Sequence, residues 1–167
     1  MASDTVTHGP EISATHLGFR KEYRKEIADK LNAIIASCYI LTLKTQYFHW
    51  VVQGFHFYSL HKLSEEHYEY LLQTIDTLAE RLRALGENPL HQFSMMLQKT
   101  HISEFQSSLK CQDMLAQLLA DHETLSQLCH KTVHTAEEND DIVTADLLTD
   151  LATFHEKAGW MLRSTLA

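Results

Sequence analysis

Proline and glycine are scarce: two Pro and five Gly in 167 residues. Both prolines, Pro10 and Pro89, lie outside the long periodic segments, so nothing breaks a helix where apolar spacing asks for one. No apolar run approaches the ~20 residues that a membrane-spanning helix needs. The opening MASDTVTHGPEISATH has neither a basic start nor an apolar stretch, which argues against a secretory leader. Only three cysteines occur, Cys38, Cys111 and Cys129. They form neither a CxxC motif nor a disulfide framework, so a reducing, cytoplasmic setting is expected. Positive charge is also short. Fourteen Lys and Arg against 22 Asp and Glu leave a formal net charge of -8, poorly suited to duplex DNA, whose binding depends on phosphate neutralisation. Twelve histidines, by contrast, are many for this length.

Leu, Ala, Glu, Lys and Gln are plentiful, which reads as one all-α domain over residues 17–167 behind an N-terminal tail, 1–16. Apolar residues recur at three and four from Leu17 to Trp50: Ile27, Leu31, Ile34, Ile35, Cys38, Leu41 and Tyr47. VVQGFHF is a connection punctuated by Gly54. A second helix is expected from Ser59 to Gly86, a third from Leu109 to Glu138 and a fourth from Val143 to Leu166. ENDD separates the last two and offers Asn and Asp as N-caps. The long connection after Gly86 contains FSMMLQK, a candidate short helix. Two short connections and one long one suit a four-helix bundle with a crossover, which sets the second and third long helices parallel.

HKLSEEHYEYLLQTIDTLAE, from His61 to Glu80, carries the main chemical signal. On a wheel with His61 at zero, Glu65 falls near ~40°, Asp76 near ~60° and Glu80 near ~100°. The four share a stripe beside the core-facing leucines. His61/Glu65 and Asp76/Glu80 are each spaced to share an ion, yet the pairs lie about 22 Å apart along the helix. Both His61/Glu80 and Glu65/Asp76 share one midpoint, between Tyr70 and Leu71. An antiparallel second copy about that point sets His61 and Glu65 of one chain against Asp76 and Glu80 of the other. His49 can fold back beside His61. The candidate site is then His49, His61 and Glu65, completed by Asp76 and Glu80 of a second copy. Mixed imidazole and carboxylate donors suit iron, manganese or zinc better than calcium or magnesium. The competing reading is an ordinary solvated helix face.

The segment KTQYFHWVVQGFHFYSLHKLSEEHYEYLLQTIDTLAERLRALG, Lys44 to Gly86, closely resembles the signature region of the Dps family, DNA-binding proteins from starved cells or miniferritins. KTQ.FHW, the glycine turn, F..LH and ID..AER...LG carry the match, and TADLLTDLATFHEKAGWML resembles the family's end. The resemblance implies a ferritin-like four-helix subunit in a hollow dodecamer. It implies a ferroxidase centre between two-fold related subunits, mapped onto His49 and His61 with Asp76 and Glu80 from the partner. The family usually has Asp where this chain has Glu65. Implied too are Fe(II) oxidation, preferably by hydrogen peroxide, ferric mineral storage and protection from oxidative damage. Trp50 would lie beside the site and trap oxidising equivalents, against a plain packing role. Asp141 and Asp146, with Asp150 a weaker third, would line acidic three-fold pores for iron entry. The alternative for them is ordinary acids complementing a helix N-terminus.

Other readings are narrower. A di-iron site inside one bundle uses paired Glu-x-x-His motifs, and no histidine here has Glu three residues before it. Nucleoid packing commonly uses a lysine-rich tail, and residues 1–16 contain no Lys or Arg, so DNA binding is expected to be weak. A shell whose site Glu65 has spoiled is the remaining alternative. His130 and His134, near Glu137, form an i,i+4 pair that reads as solvated surface. The cysteines read as buried, Cys38 most clearly.

Overall fold

The computed structural model describes residues 17–106 and 109–167; the expected tail, 1–16, lies outside the described residues. Five helices follow one another: α1 Lys21–Val51, α2 Phe57–Ala84, α3 Phe93–Lys99, α4 Cys111–Glu137 and α5 Ile142–Leu166. α3 is FSMMLQK, residue for residue. No strand occurs among the described residues. The fold is an all-α four-helix bundle, as the periodicity predicts, with α3 lying in the crossover.

The helix ends follow from local chemistry. α1 starts four residues later than expected because Gly18, at φ +81°, turns the chain just before it. α2 ends in a Schellman motif. Gly86 adopts φ +79°, its N–H donates to the Arg83 carbonyl at 3.0 Å, and Glu87 N–H donates to Leu82 at 2.9 Å. Asp141 caps α5, its carboxylate accepting from the Thr144 amide.

Side-chain contacts set the helix directions. Lys44, late in α1, meets Asp121, early in α4, and Tyr23, early in α1, meets Asp141 after α4, so α1 and α4 run antiparallel. Arg81, at the end of α2, reaches Thr144 at the start of α5. Tyr70 of α2 stacks on Phe154 of α5 at 3.9 Å. α2 and α5 are therefore also antiparallel, and α2 and α4 are parallel, as the crossover requires.

Ile27, Leu31, Ile34, Ile35, Cys38 and Leu41 of α1 are buried against Leu71, Leu78, Leu82, Leu125 and Leu148. Each large side chain buried this way contributes roughly 1.5–3 kcal/mol before entropic costs. Tyr47, expected in that stripe, is instead exposed, and Phe48 takes the core position. Cys38 and Cys129 are buried but Cys111 is only half-buried, because it opens α4 at the bundle's edge.

One polar cluster at the end of the bundle ties three helices together. Asp141 is 1 % exposed. Its carboxylate accepts from Tyr23 Oη at 2.7 Å, Arg81 Nη2 at 2.6 Å and the Thr144 hydroxyl at 2.7 Å. Burial by itself would raise the Asp141 pKa; the Thr144 and Tyr23 hydrogen bonds and the Arg81 charge reverse that and hold it below the usual value. Its contribution is complete above the ordinary carboxylate range and is lost as pH falls below it. This corrects the pore assignment of Asp141. A side chain already enclosed within one chain, with its oxygens committed, does not face an iron channel. Asp146 and Asp150 remain exposed.

Asp141→Ala is expected to cost about 3–5 kcal/mol, because it leaves the largely enclosed Arg81 guanidinium without its carboxylate. Asp146→Ala should stay within about 0.5 kcal/mol. Denaturant titration of both variants checks this; equal losses would contradict it.

Candidate metal centre

α1 and α2 meet at the VVQGFHF turn, where Gly54 takes φ +103°, a conformation that glycine adopts without strain. The reversal lays the last turn of α1 beside the first turns of α2. His49 and His61 stack face to face, with centroids 3.7 Å apart and planes 18° apart.

Their hydrogen bonds are reciprocal. His49 Nδ1 lies 2.8 Å from the His61 carbonyl, and His61 Nδ1 lies 3.0 Å from the His49 carbonyl. A carbonyl only accepts, so each ring must carry its hydrogen on Nδ1. In the neutral rings, both Nε2 atoms are then bare lone pairs. A carbonyl acceptor of this kind fixes an imidazole's tautomer and orientation, as it does for imidazoles that bind metal through the other nitrogen. Ser64 supports it: buried, it donates to the Leu60 carbonyl at 2.7 Å and the His61 carbonyl at 3.0 Å. Tyr68 meets the His49 ring edge-on at 5.4 Å, and Phe57 stacks on His61 at 5.1 Å.

Glu65 stands one turn further along α2. Lys62, 2.5 Å from Oε2, holds its carboxyl below the usual range, and His49 and His61 act in the same direction. Lys62 and Ser64 are participants that periodicity alone does not mark, although Lys62 is spaced i,i+3 from Glu65. Among the described residues, no group of three or more His, Cys, Asp or Glu within the one chain converges on a common metal position. Asp76 and Glu80 are exposed on the same stripe of α2, and about 22 Å of helix separates Asp76 from His61. The chain thus brings together His49, His61 and the neighbourhood of Glu65; it does not bring Asp76 and Glu80 to them. Trp50 is exposed and lines a groove of about 400 Å³ with Leu43, Tyr47 and Phe105. His130 pairs with Glu156 at 2.7 Å on the surface, and His134 with Glu138 at 3.5 Å.

Several large apolar side chains of α1, α2 and α3 face outward. Leu43, Tyr47 and Trp50 of α1, Leu72 of α2, and Phe93 and Leu97 of α3 are all exposed. Leu72 falls on the His61–Glu80 stripe, beside its midpoint. Leu43, Leu72, Phe93 and Leu97 line a groove of about 500 Å³.

Comparison with known proteins identifies the family. A ferritin-like domain profile matches residues 28–167. A low temperature-induced protein of Nostoc sp. is 40 % identical over 151 residues, covering 89 % of this chain and 84 % of the relative. A DNA protection during starvation protein of Bacillus anthracis is 33 % identical over 142 residues, covering 85 % and 97 %. The crystal structure of a Vibrio cholerae Dps protein, described as a member of a broad superfamily of ferritin-like diiron-carboxylate proteins, superposes with a TM-score of 0.86 at 30 % identity, covering 95 % of this chain and 100 % of that one. A profile over most of the chain, relatives above 30 % identity and a shared fold agree: the chain belongs to the Dps family of ferritin-like proteins.

Proposed function

We propose that the protein stores and detoxifies iron, oxidising Fe(II) at centres shared between two-fold related subunits and holding ferric mineral in a hollow shell. The observation that carries this reading is the reciprocal Nδ1–carbonyl pairing of His49 and His61, which leaves two Nε2 lone pairs for a metal. The family's iron chemistry supports it, as does the exposed apolar face that a second copy would cover. In this arrangement His49, His61 and Glu65 of one subunit, with Asp76 and Glu80 of its mate, bind the ferrous substrate. Nitrogen and oxygen donors accept both Fe(II) and Fe(III), and zinc or manganese can occupy the same donor set. Hydrogen peroxide is the proposed oxidant. It takes one electron from each of two ferrous ions, its O–O bond breaks, and two protons are taken up to give two waters.

His49 and His61 bind metal through Nε2 while their carbonyls hold each other's rings. Glu65 must leave Lys62 to join them. Trp50, on the adjoining face, is proposed to take up stray oxidising equivalents. Asp146, exposed near the start of α5, is proposed to attract Fe(II) at a three-fold pore. The subunit is proposed to assemble as a dodecamer and act in the cytoplasm, limiting oxidative damage. No helix among the described residues is long and apolar enough to cross a membrane. DNA packing is the weaker reading, since net charge is -8.

Stopped-flow Fe(II) oxidation tests the centre. The double variant His61→Ala with Asp76→Ala should lose at least about tenfold in initial rate, given what even supporting residues contribute to metal sites; a wild-type rate would rule the centre out. Glu65→Asp shortens the arm away from Lys62, so Co(II) titration should give a changed visible spectrum. An unchanged spectrum would take Glu65 out of the ligand set. In gel shifts across a salt series, binding to duplex DNA should be absent near physiological salt; tight, persistent shifts would favour the packing role.

A further inference from the structure

The bundle interior holds a second group of histidines, apart from the candidate centre. His67 of α2, His122 of α4 and His155 of α5 are all buried, His122 at 1 % and His155 at 0 % exposure. His122 and His155 meet Nδ1 to Nδ1 at 2.8 Å. His67 lies edge-on to His122 at 5.2 Å, and Phe154 packs against all three rings.

An N–H···N bond between neutral imidazoles holds one hydrogen. The ring that donates at Nδ1 has a bare Nε2; the ring that accepts at Nδ1 carries its hydrogen on Nε2. Both Nε2 atoms are buried without a partner. Whichever ring donates, the pair leaves one donor and one acceptor unmet in the core. A buried polar group of this kind calls for a specific explanation.

The charges around the pair are all engaged elsewhere. On α4, Asp121 is tied to Lys44 of α1 and Glu123 to Arg163 of α5. On α5, Glu156 is tied to His130. α2 presents only His67, with Tyr70 behind the Phe154 ring. Among the described residues, no carboxylate is hydrogen-bonded to either imidazole.

We propose that the His122–His155 pair is an acid-sensitive latch, joining α4 to α5 while neutral and loosening them when a proton enters. A proton on the accepting Nδ1 turns two N–H groups toward each other across the 2.8 Å contact. A proton on the bare Nε2 leaves a cation in apolar surroundings without an acceptor. Access is short, because His155 lines a surface cleft of about 350 Å³ with Glu123, Glu156, Gly159 and Arg163.

Burial, helped by the neighbouring imidazoles, pushes His122 well below its ordinary value and His155 down to about 3. The folded pair stays neutral where the opened chain takes up protons. Its stabilisation is therefore complete above pH ~6.5 and is lost as pH falls from there toward the folded values.

Hydrogen exchange of the assembled protein between pH 7 and 4.5, corrected for intrinsic rates, tests this. In wild type the opening constant for α5 amides should rise about tenfold per pH unit for each histidine of the pair, about 100-fold together. His122→Gln with His155→Gln keeps a side-chain hydrogen bond without titrating, and should flatten the pH dependence by that factor. His122→Leu with His155→Leu is read the same way if the glutamine pair does not fold. A variant as pH-sensitive as wild type overturns the latch. Should neither variant fold, NMR of histidine-labelled wild type decides: rings neutral down to pH 4.5 support the proposal, and titration near pH 6.5 overturns it.

Discussion

A straight helix cannot bring its own residues 61 and 76 together. About 22 Å of backbone stands between them, and α2 runs unbroken from Phe57 to Ala84. In the proposed centre, the histidines at one end of the stripe are completed by Asp76 and Glu80, which their own chain holds out of reach. The stripe's midpoint, beside exposed Leu72, is where an antiparallel copy would supply them. The apolar exposure of α1, α2 and α3 around that midpoint is costly in an isolated subunit, and burying it would contribute to both assembly and site formation.

The fold fixes the His49 and His61 rings from behind. The Gly54 turn sets the end of α1 against the start of α2. The His49 carbonyl, left over by the helix ladder at the end of α1, and the His61 carbonyl within α2 become the acceptors that orient the two rings. The far end of the bundle is held by a different device, the Tyr23–Arg81–Asp141–Thr144 cluster. Polar groups thus pin both ends, and apolar packing fills most of the space between them.

Much of this was legible in the sequence because it depends on period. The i,i+3/i+4 spacing of Ile27 to Leu41 marked the buried face of α1, FSMMLQK marked α3, and the scarcity of Pro and Gly left long helices as the consistent reading. The stripe of His61, Glu65, Asp76 and Glu80 needed only a wheel. What escaped depended on tertiary partners. Asp141 looked like an exposed acid at a helix start, and only its contacts with Tyr23 and Arg81, far away in sequence, show it buried. Tyr47 and Phe48 are adjacent aromatics, and which one enters the core depends on where α2 and α5 lie. His67, His122 and His155 are on three helices with no common motif, so their convergence has no sequence signature.

The central claim is that each centre is built from two chains, and co-assembly of two defective subunits tests it most directly. Chains carrying His61→Ala and chains carrying Asp76→Ala should each oxidise Fe(II) poorly alone. Mixed before assembly in equal amounts and paired at random, they restore one complete centre in each mixed pair, or about a quarter of all centres across a two-fold interface. Recovery of roughly that share of the wild-type rate is the predicted result. A mixture no more active than its components, in shells shown to contain both chains, would contradict the shared centre.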